Sequence, residues 1–253
     1  MLESYLRTRL SERDILLMTH IVLGYPSFED CFRIIEAMVE AGVDLMELQI
    51  PFSEPSADGP VILCANHKAL EGGTTVQACL NFAKKVTQTF NIPFLIMSYY
   101  NIPFKYGVNG FVSAMSERGI RGAIIPDLPP EEAQEYLNAM GEHGLAPIFI
   151  FSPTTPDSRM KYIASFARGF IYCVARKGVT GVDTSFSDEM AAYLGRCRQG
   201  SHLPLALGFG IKEKADIDFL KGKADIAVIG TQTIRIMEEE GIASVGNFVR
   251  GLR

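Results

Sequence analysis

Two carboxylates, Glu47 and Asp58, lie close together in a stretch that could do proton chemistry. Glu47 ends an apolar run, Val43–Leu48, and Asp58 follows in the loop IPFSEPSADGP. Along a strand, Glu47 shares side-chain parity with Val43 and Leu45, so the three are expected to face the same way. A carboxylate at the mouth of an apolar strand loses hydration. That pushes its pKa upward and suits a proton donor or shuttle near neutral pH. The plainer alternative is a Glu paired with a charge on a neighbouring loop. Asp58 has its own plain alternative, a turn former or a helix N-cap ahead of Pro60 at the first helical position. Two carboxylates in different surroundings at one mouth can divide acid and base roles.

Two other stretches could hold an anion. Leu205-Ala206-Leu207 runs into Gly208-Phe209-Gly210, and Ile226–Ile229 runs into Gly230-Thr231. Small residues let backbone N–H groups approach a phosphate, and a following helix N-terminus adds partial positive charge. Tight turns alone would also use glycine. A third glycine-rich segment, Lys177-Gly178-Val179-Thr180-Gly181, suits a closing lid or an ordinary surface loop. No candidate strand contains a lysine, which disfavours a Schiff-base aldolase. The four histidines, His20, His67, His143 and His202, show no ligand spacing. Only His20 falls on a strand, where a core role is the default expectation. What remains is an anchored phosphate ester worked on by carboxylates, without metal or cofactor.

These groups must be positioned by short strands. Apolar runs occur at Leu16–Val22, Val43–Leu48, Pro93–Met97, Gly122–Ile125, Ala146–Ile150, Gly169–Val174, Leu203–Leu207 and Asp225–Ile229. They lack clean polar alternation, as strands buried on both faces do. Helical periodicity lies between them at Phe28–Ala41, Glu131–His143, Ser187–Arg198 and Ser244–Leu252, with an extra leading helix at Leu2–Leu10. Gly42, Gly119 and Gly144 suit helix ends. About eight strand–helix units imply parallel pairing and an α/β fold, a single (β/α)8 TIM barrel over residues 1–253 with an extra N-terminal helix. An open doubly wound sheet is the fallback. Its usual glycine-rich first turn is absent, since LGYPS stands there. In such a barrel, function collects where the strands end.

Composition excludes other classes. Of 253 residues, 47% are hydrophobic and 21% charged, which disfavours disorder and coiled coil. A net charge of −5 argues against nucleic-acid binding. No apolar run approaches the ~20 residues that span a bilayer. The N-terminal MLESYLRTRLSERD has no uninterrupted apolar core, so a secretory signal is not expected. Five cysteines, Cys31, Cys64, Cys79, Cys173 and Cys197, form no C-x-x-C pair. Free thiols in a reducing cytoplasm are the expectation.

The segment from Glu47 through Pro60, ELQIPFSEPSADGP, resembles the hallmark of the tryptophan synthase alpha subunit family. LGYP at Leu23–Pro26, YYN at Tyr99–Asn101, IPDLPPEEA at Ile125–Ala133, FIYCVARKGVTG at Phe170–Gly181, GFGI at Gly208–Ile211 and IGT at Ile229–Thr231 extend the likeness along nearly the whole chain. The resemblance implies cofactor-free retro-aldol cleavage of indole-3-glycerol phosphate to indole and glyceraldehyde 3-phosphate. It implies that Glu47 is the acid/base for indole C3 and that Asp58 relieves positive charge at the indole N–H. It puts Tyr172 beside the substrate, Phe209 and Ile62 on the indole pocket, and Gly181, Gly210, Gly230 and Thr231 at the phosphate. Thr180 matches the lid threonine that meets the aspartate. It further implies a pyridoxal-phosphate beta subunit as partner, in an alpha2-beta2 hetero-tetramer, with indole passed between subunits.

Some positions depart from the family pattern. Gln49 stands for the usual Gly, Glu54 for Asp at a partner-facing position, Ala175 for Ser and Thr231 for Ser. His20 stands near the expected pocket, where an apolar residue or proline is usual.

Overall fold

The apolar runs form eight short strands: β1 (Leu16–Val22), β2 (Leu45–Gln49), β3 (Phe94–Met97), β4 (Gly122–Ile124), β5 (Ala146–Phe151), β6 (Ile171–Val174), β7 (Leu205–Gly208) and β8 (Ile226–Ile229). Each is parallel to the next, and β8 pairs back onto β1, so the sheet closes into a barrel without an edge. The structure is a computed structural model and describes residues 1–174, 188–208 and 210–253.

Helices fill the connections. α1 (Leu2–Leu10) precedes β1, and α2 (Phe28–Glu40) leads to β2. Two helices, α3 (Pro60–Glu71) and α4 (Val76–Thr89), separate β2 from β3, which accounts for the widest spacing between apolar runs. α5 (Asn101–Tyr106) and α6 (Val108–Glu117) follow β3, α7 (Gln134–Glu142) follows β4, and α8 (Asp157–Phe166) follows β5. α9 (Asp188–Gly200), α10 (Lys214–Leu220), α11 (Thr231–Glu240) and α12 (Ile242–Gly251) complete the shell. Local chemistry starts and stops these helices. Ser27 and Thr75 accept the Asp30 and Ala78 N–H groups at the heads of α2 and α4. Gly42, Gly119 and Gly144 all take positive φ just beyond α2, α6 and α7, as expected of glycine there.

Two expectations shift locally. The helix expected over Glu131–His143 begins as a 3₁₀ turn at Pro130–Glu132, and regular α-helix starts only at Gln134. Ala133, at φ −96° and ψ 7°, separates them. The second strand starts at Leu45 rather than Val43. Val43 packs in the layer between barrel and helices, while Leu45 faces the barrel interior, so the shared parity fails at Val43. Between them the buried Asp44 accepts the Leu17 N–H at 2.9 Å through its carboxylate, just ahead of the strand.

Burial divides the core in two. Leu17, Ile21, Met46, Leu48 and Ile96 point outward against the helices. Leu16, Met18, Leu45, Leu95, Ile148, Phe170 and Ile226 fill the interior, and Leu2 and Leu6 of α1 pack into the same cluster. α1 therefore stoppers the end where the strands begin. Asp44 secures that end, with its carboxylate receiving Arg9 and Arg13 at 3.1 Å each and also Arg253. Among the described residues no other helix contributes to that interior cluster, and the opposite end, where the strands finish, has no such stopper.

Candidate active site

Interior positions turn polar towards the open end. On β1 the inward series Leu16, Met18 continues to His20, and on β2 Leu45 continues to Glu47 and Gln49. The β1–β2 register sets His20 directly opposite Glu47. His20 Nδ1 lies 3.0 Å from Glu47 Oε1, and the Tyr172 hydroxyl donates to the same oxygen at a long 3.4 Å. Glu47 is only 3% exposed. Glu47 is thus bonded within the barrel mouth, and the plain alternative of a loop ion pair does not describe it among the described residues.

Asp58 belongs to the loop after β2. The residue that caps α3 is Gly59, with Pro60 at the first helical position, so the N-cap alternative for Asp58 is incorrect. Its carboxylate instead accepts Gln49 Nε2 at 2.7 Å and the Tyr99 hydroxyl at 3.1 Å. Tyr99 also accepts the Ala57 N–H at 3.0 Å and stacks on Phe52, ring centroids 5.3 Å apart. Asn66 of α3 accepts the Phe52 N–H at 2.9 Å. The loop is pinned at both ends by buried side chains. Burial pushes the Asp58 carboxyl above its ordinary range, against the lowering pull of His20, Gln49 and Tyr99. Burial likewise pushes the Tyr172 phenol well up, with the Glu47 and Asp58 charges adding to it, so Tyr172 is a neutral donor.

The other half of the mouth comes from β7, β8 and α11. Gly230 caps α11, and Thr231 and Gln232 open it. The first N–H groups of a helix have no intrahelical acceptors, and they carry the positive end of its dipole. Lys212 and Arg235 add formal charge to the same wall. Gly208, from the turn expected to hold a phosphate, lines the same cavity and also has a packing role. It is the last residue of β7, and a Cβ there would fall 2.3 Å from the Tyr172 ring. Its bareness makes room for Tyr172.

One cavity of about 350 Å³ joins these parts. Of the residues singled out from sequence, Glu47, Asp58, Ile62, Tyr172, Gly210, Gly230 and Thr231 all line it. Thr180, Gly181 and Phe209 lie outside the described residues, as does the whole segment expected to form a lid. Sequence reasoning named His20 and Gln49 only as departures from the family pattern, His20 near the pocket, and did not single out Lys212 and Arg235 on the wall or Tyr99 behind Asp58 as site residues. Strand parity with Met18 would have exposed His20, and parity with Glu47 would have exposed Gln49. Arg235 follows Thr231 by one helical turn. Among the described residues, no group of three or more His, Cys, Asp or Glu could hold a metal ion.

Chemically, the cavity offers two carboxylates, Glu47 and Asp58, apolar walls from Ile62, Met97, Ile124 and Val228, and an end with a helix N-terminus and two cationic side chains that suits an anion. A planar apolar group with a phosphate tail matches that inventory.

Comparison with known proteins agrees. A family model described as tryptophan synthase alpha chain matches residues 6–248. The chain is 62% identical over 252 residues to the tryptophan synthase alpha chain of Desulforapulum autotrophicum, covering 100% of both. A structure of Mycobacterium tuberculosis tryptophan synthase superimposes with a TM-score of 0.93 at 29% identity, covering 99% of this chain and 96% of that one. A crystal structure of the tryptophan synthase complex from Pyrococcus furiosus matches with a TM-score of 0.86 at 27% identity, over 94% and 97% of the two chains. With its barrel and its match over nearly the full length, the chain belongs to the tryptophan synthase alpha chain family.

Proposed function

We propose that this chain is a carbon–carbon lyase that cleaves indole-3-glycerol phosphate to indole and glyceraldehyde 3-phosphate. The observation that carries this reading is that one cavity is lined by Glu47, Asp58 and the N-terminus of α11. Cleavage requires indole C3 to become tetrahedral, so that the ring can leave with the bonding pair. Glu47 delivers the proton to C3. Protonation puts positive charge on the indole nitrogen, and the Asp58 carboxylate beside the N–H stabilises it. Glu47, now ionised, takes the proton of the side-chain hydroxyl as the C–C bond breaks and the aldehyde forms. The phosphate sits at Gly210, Gly230 and Thr231, with Lys212 and Arg235 at hand, and fixes the substrate's direction. Ile62 packs on the ring and Tyr172 orients Glu47. Thr180, Gly181 and Phe209 are proposed to complete lid, phosphate site and indole pocket. Every step is a proton transfer between side chain and substrate, so the chemistry needs no cofactor of its own.

The partner under this reading is a pyridoxal-phosphate beta subunit, which receives indole within an alpha2-beta2 assembly in the cytoplasm. Glu54, exposed on the loop after β2, stands on the partner-facing side. The test is direct. The purified chain is incubated with indole-3-glycerol phosphate, alone and with a beta subunit, and free indole is followed. The chain has no tryptophan, so indole fluorescence rises on a dark background. Indole is expected in both cases, faster with the partner. A rearranged sugar phosphate with no indole would replace the lyase with an isomerase. Activation of the beta subunit without cleavage would make this a silent binding subunit.

A further inference from the structure

His20 is the one titratable side chain on the strands that touches Glu47 from across the β1–β2 ladder, and the family pattern does not account for it. The two side chains are 5% and 4% exposed. Beyond their shared bond, His20 Nε2 and Glu47 Oε2 have no partner among the described residues. Both residues line the cavity. On the far side Gly230 keeps the space beside His20 clear, since a Cβ there would lie 3.5 Å from His20 Cβ and 3.8–3.9 Å from the nearest ring carbons. The imidazole thus sits between Glu47 of β2 and Gly230 just after β8.

A lone carboxylate meets a difficulty in this reaction. It must carry a proton to begin, yet an ordinary glutamic acid ionises near 4.3 and an imidazole near 6.5. A proton stored on an adjacent imidazole is available close to neutral pH. Resting on the indole-releasing reading above, we propose that His20 is a positioning residue that orients the Glu47 carboxylate through Nδ1–H and stores the proton Glu47 delivers to C3.

The transfers balance. The pair begins with one proton, on Nδ1. That proton passes to Glu47 Oε1 and on to C3. The C3–C bond breaks, its electron pair returns to the indole ring, and the hydroxyl O–H pair becomes the aldehyde π bond. The hydroxyl proton goes to Glu47 and back to Nδ1, and nothing is oxidised or reduced.

The surroundings favour storage. Burial opposes the imidazolium, but the Glu47 bond and charge and the Asp58 charge outweigh it, and His20 is held above its ordinary pKa. Tyr172 faces the pair from β6 as a neutral phenol. Lys212 and Arg235, from the loop after β7 and from α11, are the opposing cations on the cavity wall.

Two variants and one titration test this. His20→Asn retains an N–H near the carboxylate but stores no proton. Its KM for indole-3-glycerol phosphate should stay within about threefold of wild type. Its kcat deficit should grow with pH, from a few-fold near pH 6 to about 10²-fold near pH 8, the scale of one general acid/base contribution. His20→Leu also loses the orienting bond, and its kcat should fall further at every pH. In parallel, ¹⁵N NMR of the wild-type imidazoles should show His20 titrating above 6.5, with the midpoint falling in Glu47→Gln. Wild-type kcat and an unshifted pH profile in His20→Asn would overturn the proposal, as would a His20 midpoint indifferent to Glu47→Gln. A wild-type chain that releases no indole sinks the functional reading instead, and the NMR titration still decides the His20–Glu47 pair.

Discussion

Asp58 is stabilised by two donors and disfavoured by burial, and these effects pull its carboxyl in opposite directions. Burial wins, so its folded pKa lies above its unfolded one. The native state then binds more protons than the unfolded chain between those two values, and stability contributed by this group falls as pH rises through them. Asp58→Asn, which retains an acceptor for Gln49 and Tyr99, should be more resistant to urea than wild type at pH 7. The margin should shrink as pH falls towards the ordinary carboxylate range. The same variant, like Glu47→Gln, should lose about 10²–10⁴-fold in indole release while folding normally, since each removes one proton-transfer or charge-stabilising group. Normal turnover by either would overturn its assigned role. Tyr99→Phe leaves the Ala57 N–H and the Asp58 carboxylate each short of a partner, at a cost of about 1–3 kcal/mol in unfolding free energy.

Strand β7 ends in a glycine because strand β6 carries a tyrosine. Gly208→Ala would drive a methyl group into the Tyr172 ring. Overpacking of this kind costs about 1–3 kcal/mol, and the displaced hydroxyl leaves Glu47. Thermal unfolding and kcat/KM should both fall in Gly208→Ala, and replacing Tyr172 with a smaller residue in the same chain should recover the stability but not the activity. All eight strands were legible as apolar runs, because a strand buried on both faces has no polar alternation to disguise it. The carboxylates were legible because charge is conspicuous at the end of such a run. The likeness put His20 near the pocket, but its contact with Glu47 was not legible, since a histidine among Leu, Met and Thr looks like core until the β1–β2 register sets it opposite Glu47. Val43 was misread for the complementary reason. Its parity with Leu45 assumed a strand already running at Val43, whereas the strand begins only at Leu45.

Across the whole molecule, stability and chemistry occupy opposite ends. The stoppered end rests on Asp44, whose side chain is fully buried and meets Arg9, Arg13 and Arg253. Removing one member of a buried charge network costs about 3–5 kcal/mol. Here the arginines are part-exposed and regain water, so Asp44→Ala should cost nearer the lower figure in urea denaturation, with kcat of the folded molecules unchanged. The β1–β8 seam has a different implication. His20 and Glu47 come from the first two strands and the Gly230-Thr231 turn from the last, so the cavity's lining exists only after residues some two hundred positions apart have met. A chain diluted out of denaturant can regain helix early and remain inert. Return of turnover should coincide with the latest phase of tyrosine fluorescence recovery, making catalysis itself a clock for ring completion.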